Sequence, residues 1–118
     1  MNSKELRKEI RISVRDIPEE YSAFTILLPH GTESRVNTSD ISLNGFGFTS
    51  ALSPEEFIVG QRLVLYPLGN EHPVYGNIVH TMMTPAGTRV GVSLLHLGGY
   101  TKYKAMVSSL LNKLQSKD

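Results

Sequence analysis

A small all-β barrel or sandwich followed by one C-terminal helix is the fold class this sequence predicts. Three observations carry that expectation. Short β-prone segments recur between Gly and Pro punctuation from Tyr21 to Leu97. From Thr101 onward the apolar spacing changes from strand-like to helix-like. The chain has 118 residues and no cysteine, and is 40% hydrophobic with 19% charged residues. A length of this order buries roughly two thirds of the unfolded surface, so one core forms without disulfide or metal staples.

The elements follow in order. Residues 1–12 form a basic arm, expected to be flexible; Lys4, Arg7, Lys8, Arg11 and Arg15 face only Glu5 and Glu9 in this region. Tyr21–Leu28 is β-prone and closed by the turn signal Pro29-His30-Gly31. Arg35–Ile41 reads as a second, polar-faced strand, and Phe46 and Phe48 alternate with Gly47 and Thr49 in a half-buried third. Between them, Asn44-Gly45 is a turn pair that tolerates positive φ. Ser53-Pro54-Glu55-Glu56 and Gly60 precede the strand Arg62–Tyr66. Val74–Met82 and Thr88–Leu97 form a hairpin joined by Thr84-Pro85-Ala86-Gly87. Residues 100–116 form a helix. Tyr103, Met106, Val107, Leu110, Leu111 and Leu114 share one face, Thr101 is its expected N-cap, and Lys113 and Lys117 suit its C-terminal end. A helix this short needs tertiary burial, so its stripe seals one mouth of the barrel or, alternatively, a homodimer contact.

Composition also narrows function. Twelve Lys and Arg against eleven Asp and Glu give a net charge of +1. This argues against broad adhesion to duplex nucleic acid or an anionic membrane. The absence of cysteine removes thiolate metal sites and a cysteine nucleophile. No apolar run reaches membrane-spanning length and no secretory signal pattern is present, so a soluble cytoplasmic protein without membrane insertion is expected. His30, His72, His80 and His96 show no metal-ligand spacing, and no metal is expected. A triad of Ser42, Asp40 and His80 lacks any nucleophile elbow. Glu19-Glu20 and Glu55-Glu56 sit beside prolines and read as solvated. No catalytic residue is assigned, and the chain is not expected to be an enzyme.

Two segments stand apart. Arg7 and Arg11 are four residues apart just before the first expected strand, and Asp40-Ile41-Ser42-Leu43-Asn44-Gly45 links two strands. Each alone reads as structural: a basic arm and a tight turn. Together they match R-x-x-x-R followed, about one β-hairpin later, by D-x-S-x-x-G. This pair resembles the PilZ domain family of bacterial cyclic di-GMP receptors. The likeness extends through Gly60-Gln61-Arg62-Leu63-Val64-Leu65, Gly76-Asn77-Ile78-Val79 and Arg89-Val90-Gly91-Val92-Ser93-Leu94, covering roughly residues 5–97.

The resemblance implies a six-stranded antiparallel β-barrel at residues 11–97 with a C-terminal α-helix. It implies a cyclic di-GMP site at Arg7, Arg11, Asp40, Ser42 and Gly45, with Asn44 supporting the turn. It further implies a downstream protein partner in motility, biofilm, exopolysaccharide or virulence control, and no cofactor besides that ligand. Many members carry an arginine where this chain has Leu6, and a glycine where it has Asn44. Arginine forks suit both phosphates and the O6/N7 edge of guanine, and the Asp40 carboxylate complements guanine N–H donors. Arg15 and Arg35 are candidates to add positive field near the site, and Asn77 and Arg89 candidates to lie on the barrel wall beside the ligand; none of the four is assigned to the site. Two rivals stay open. One is a PilZ domain that binds proteins without ligand. The other is a small-barrel nucleic-acid binder using Phe46, Phe48, Tyr66 and Tyr75 as stacking rings.

Overall fold

Alternating apolar and polar residues give each strand two different faces, and seven strands use this to wrap one core. The computed structural model describes residues 10–116. Its order is β1 (Ile12–Ser13), β2 (Ala23–Leu27), β3 (Glu33–Ile41), β4 (Gly45–Ser50), β5 (Arg62–Tyr66), β6 (Val74–Thr84), β7 (Gly87–Leu94) and α1 (Tyr100–Gln115). All pairings are antiparallel, and six strands close a circuit β3-β2-β5-β6-β7-β4 back to β3. β1 is an extra short strand on the end of β3, with Ile12 opposite Ile41 and Ser13 opposite Asp40.

Closure falls on β3. Its first half pairs with β2, from Glu33–Leu27 to Asn37–Ala23, and its second half pairs with β4 and β1. Closing a sheet removes exposed edges and fixes which face looks inward. Phe24, Ile26, Val36, Ile41, Phe46, Phe48, Leu63, Leu65, Ile78, Val90 and Val92 fill the interior. Phe24 meets Phe46 and Phe48 edge-on at centroid separations of 4.7 and 5.9 Å, a favoured aromatic geometry.

Several expectations shift. The strand expected from Tyr21 starts at Ala23, because Pro18 opens a 3-10 turn over Glu19–Tyr21. Ser22 closes that turn, donating both its N–H and its Oγ–H to the Glu19 carbonyl. The second strand of the long hairpin stops at Leu94 rather than Leu97. Neither Asn44 nor Gly45 has positive φ. Ser42 N–H donates to the Gly45 carbonyl, so Leu43 and Asn44 form the loop and Gly45 starts β4. Thr101 does not cap the helix; Gly99 occupies that place. A Cβ at Gly99 would lie 2.6 Å from the His72 carbonyl oxygen, so only glycine lets the chain enter the helix this close to that loop.

The helix packs its expected stripe. Tyr103, Val107 and Leu110 are buried, with Met106, Leu111 and Leu114 partly buried against the same core. Lys117 lies outside the described residues. Among the described residues, no helix is long and apolar enough to cross a membrane.

Phe48 is fully buried between Phe24 and Phe57. Phe48→Ala is expected to cost about 3–5 kcal/mol of stability, read as a lower midpoint in urea unfolding monitored by circular dichroism.

Candidate functional site

Two β-bulges set the site. The ladder between β3 and β4 shifts register between Thr38 and Asp40, and the ladder between β6 and β7 shifts between Ile78 and His80. A bulge adds one residue on one strand and re-aims the side chains around it. Between the bulges the cross-strand partners form a continuous row: Asp40 with Gly47, Gly47 with Gly91, Gly91 with His80. The row lies on the outer face, since neighbours Ile41, Phe46, Val90 and Val92 point into the core.

A cleft of about 310 Å³ opens over this row. Arg11, Asp40 and Arg89 bound it with Gly47, Gly91, Val79 and His80. Ile12, only 1% exposed, anchors β1 in the core, and the residue before it therefore projects outward. Arg11 Nη1 donates to Asp40 Oδ1 at 2.8 Å, joining residues 29 apart in sequence. Arg89 Nη2, from β7, donates to the other oxygen, Oδ2. One carboxylate thus holds two guanidiniums and leaves the site net positive. The Asp40 side chain is 14% exposed while those of Arg11 and Arg89 are 57% and 45% exposed. Water screens such pairs, so their weight lies in positioning more than in stability.

Gly47 is required by this arrangement. A Cβ there would sit 2.9 Å from Asp40 Oδ1 and 3.1 Å from Oδ2. Its absence lets the carboxylate lie across β4. Gly45 works similarly: a Cβ there would be 3.1 Å from Ser42 Oγ and 3.6 Å from Arg11 Nη2.

The loop before β4 is tied to the helix. Tyr103, buried, places its hydroxyl 2.7 Å from the Ser42 carbonyl and 2.8 Å from the Gly45 carbonyl, sharing its proton between both ends of the loop. Tyr100 Oη donates to the Leu43 carbonyl and to Asn44 Oδ1. His96 Nε2 lies 3.0 Å from the same Asn44 oxygen, and its ring stacks on Tyr100 at 4.1 Å.

The expected site residues therefore divide. Arg11 and Asp40 meet in the cleft. Ser42 is fully buried and Gly45 lies beneath the Arg11 guanidinium; neither lines the cleft. Asn44 supports the loop through its side chain and its carbonyl, which accepts from Leu94 N–H at 2.9 Å. Arg7 and most of the basic arm lie outside the described residues. Asp40 bonds guanidiniums rather than His80, so the Ser–His–Asp triad is not assembled. His30 sits 3.4 Å from Glu56 on another surface. Among the described residues no group of three or more His, Asp or Glu is placed to hold a metal. Phe46 and Phe48 are in the core, which removes them as stacking platforms.

From the sequence, Arg89 is a barrel-wall candidate not assigned to the site, and His80, Gly47 and Gly91 are not expected at a ligand site. The signal for the glycines was present, since glycine inside a strand pattern marks close approach. That Arg89 and His80 face this same cleft depends on register and bulges, which no local pattern reveals.

No family model matches the sequence, and no curated protein matches it. Solved structures do resemble it. The PilZ domain of YcgR from Escherichia coli with cyclic di-GMP aligns at TM-score 0.58 and 18% identity, over 94% of this chain and 95% of that one. YcgR from Escherichia coli in complex with cyclic di-GMP aligns at 0.63 and 17%, over 92% of this chain and 46% of that one. The PlzA protein of Borreliella burgdorferi in complex with cyclic di-GMP aligns at 0.66 and 13%, over 91% and 43%. The chain thus spans nearly all of the isolated domain and under half of the two larger proteins. At these identities the shared property is the fold.

Tyr103→Phe keeps the ring and removes the proton shared by two buried carbonyls. It is expected to cost about 1–3 kcal/mol, measured as a lower unfolding midpoint with the native circular dichroism spectrum retained.

Proposed function

Proceeding from a PilZ-domain fold, we propose that the chain is a cyclic di-GMP receptor without enzymatic activity. The observation that carries this reading is the Arg11–Asp40 pair, which joins the R-x-x-x-R segment to the D-x-S-x-x-G segment within one cleft. The likeness to structures solved with cyclic di-GMP supports the same ligand.

The chemistry is an exchange of partners. Both oxygens of Asp40 are engaged by Arg11 and Arg89. A guanine offers Asp40 the N–H donors of its base edge, and the ligand phosphates offer the Arg11 guanidinium anionic oxygens. Ligand binding therefore replaces ion pairs within the chain by protein–ligand ones, with net charge better balanced afterwards. A merely basic patch would bind phosphate without selecting the base; the carboxylate supplies that selection. Ser42 and Gly45 enter as the loop that seats Arg11. Arg7 joins from the arm, adding a second guanidinium to the phosphates.

The signal is the change in that arm. Arginines drawn onto the ligand order the chain before β1, and the newly ordered surface recruits or releases a downstream partner.

Isothermal calorimetry with cyclic di-GMP tests the reading, with GMP and cyclic di-AMP as controls. Selective binding of cyclic di-GMP is expected. Each charge-assisted contact contributes about 1.5–3 kcal/mol, so Arg11→Ala and Asp40→Ala should each weaken binding roughly tenfold to hundredfold. A flat titration of the folded protein identifies a protein-interaction module instead.

A further inference from the structure

Glycine inside a strand is costly, because it has no side chain to pack and more backbone freedom to lose. Gly47 is explained by the Asp40 carboxylate above it. Gly91 is not explained by the fold. It lies in mid-strand in β7 and its φ is not positive. A Cβ built there would meet the His80 Cβ at 3.5 Å and the Val79 side chain at 3.9 Å, both ordinary van der Waals distances. It faces the bulge in β6, yet that bulge leaves room for a methyl group. The methyl would stand in the cleft.

The surroundings suit a flat ring. The bulge leaves both Val79 and His80 exposed along one edge, and Arg89 lies two residues away on the same outward face. Arg89 already reaches Asp40 across the cleft, so its fork is available once a ligand takes that carboxylate. From Asp40 to His80 the row crosses three strand spacings, about 14 Å at ~4.8 Å each. One guanine at Asp40 fills only one end of that length.

We propose that Gly91 is a ligand-binding position, a bare stretch of strand on which the second guanine of cyclic di-GMP lies flat, edged by His80 and by Arg89. This rests on the cyclic di-GMP reading and extends it by assigning the second base. Gly91 keeps the floor level; Arg89 offers its donors to the O6/N7 edge of that base. Neither position belongs to the two motifs that drew attention to the site.

The test uses the full chain, its Gly91→Ala and Gly91→Val variants, thermal unfolding and calorimetry with cyclic di-GMP. Alanine fits the backbone and the space, so Gly91→Ala should unfold at the same temperature or higher. Its affinity for cyclic di-GMP should nevertheless fall about tenfold or more, and that of Gly91→Val further, because the added carbons occupy the ring's place. Wild-type affinity in Gly91→Ala would overturn the assignment and leave the receptor reading intact. So would a marked drop in its unfolding temperature, which would make the glycine a requirement of the fold. An unliganded wild-type protein under the same titration would overturn both.

Discussion

β3 is the strand on which everything else hangs, because one segment must pair along both edges. Nine residues serve β2 on one side and β4 on the other, with β1 taking the edge that β2 leaves. A regular strand does this only with strict alternation. The extra residue at the bulge before Asp40 breaks that alternation and keeps the carboxylate outside while Ile41 returns to the core. The bulge before His80 does the same at the far side of the row. Barrel closure and cleft geometry are consequently one constraint, met twice.

The electrostatics follow from that placement. Asp40 is shielded enough to orient two guanidiniums, and they remain exposed enough to leave it. A deeper carboxylate would hold its partners against a large desolvation penalty and resist exchange. A fully solvated one would not fix their directions. The intermediate burial suits a site whose ion pairs are traded rather than kept.

α1 does more than cover the barrel mouth. Its first turn sends two tyrosine hydroxyls into the Ser42–Gly45 loop, and the loop in turn lies under Arg11. Glycines at 98 and 99 permit this by letting the helix begin against the backbone of His72 and Pro73. The apolar stripe and the tyrosine hydroxyls therefore share one helix face with two tasks: Val107 and Leu110 bury area, while Tyr103 also ties down polar backbone.

Much of the architecture was legible in the residues. The β-prone run Arg62–Tyr66, the two-residue turn between Thr84 and Gly87, and the 3–4 spacing from Tyr103 are local signals that tertiary packing reinforced. The meeting of Arg11 and Asp40 was legible only through paired motifs. Ser42 lies outside the cleft lining, and its neighbours in sequence do not reveal that its carbonyl is held by a helix residue 61 positions away. Register, bulge position and the row Asp40–Gly47–Gly91–His80 belong to the tertiary structure alone. The sequence by itself settled where the chain changes period, since that depends on nearest neighbours along it. Which outward-facing residues share a cleft depends on how four strands align, and a shift of one residue would have scattered them over opposite faces.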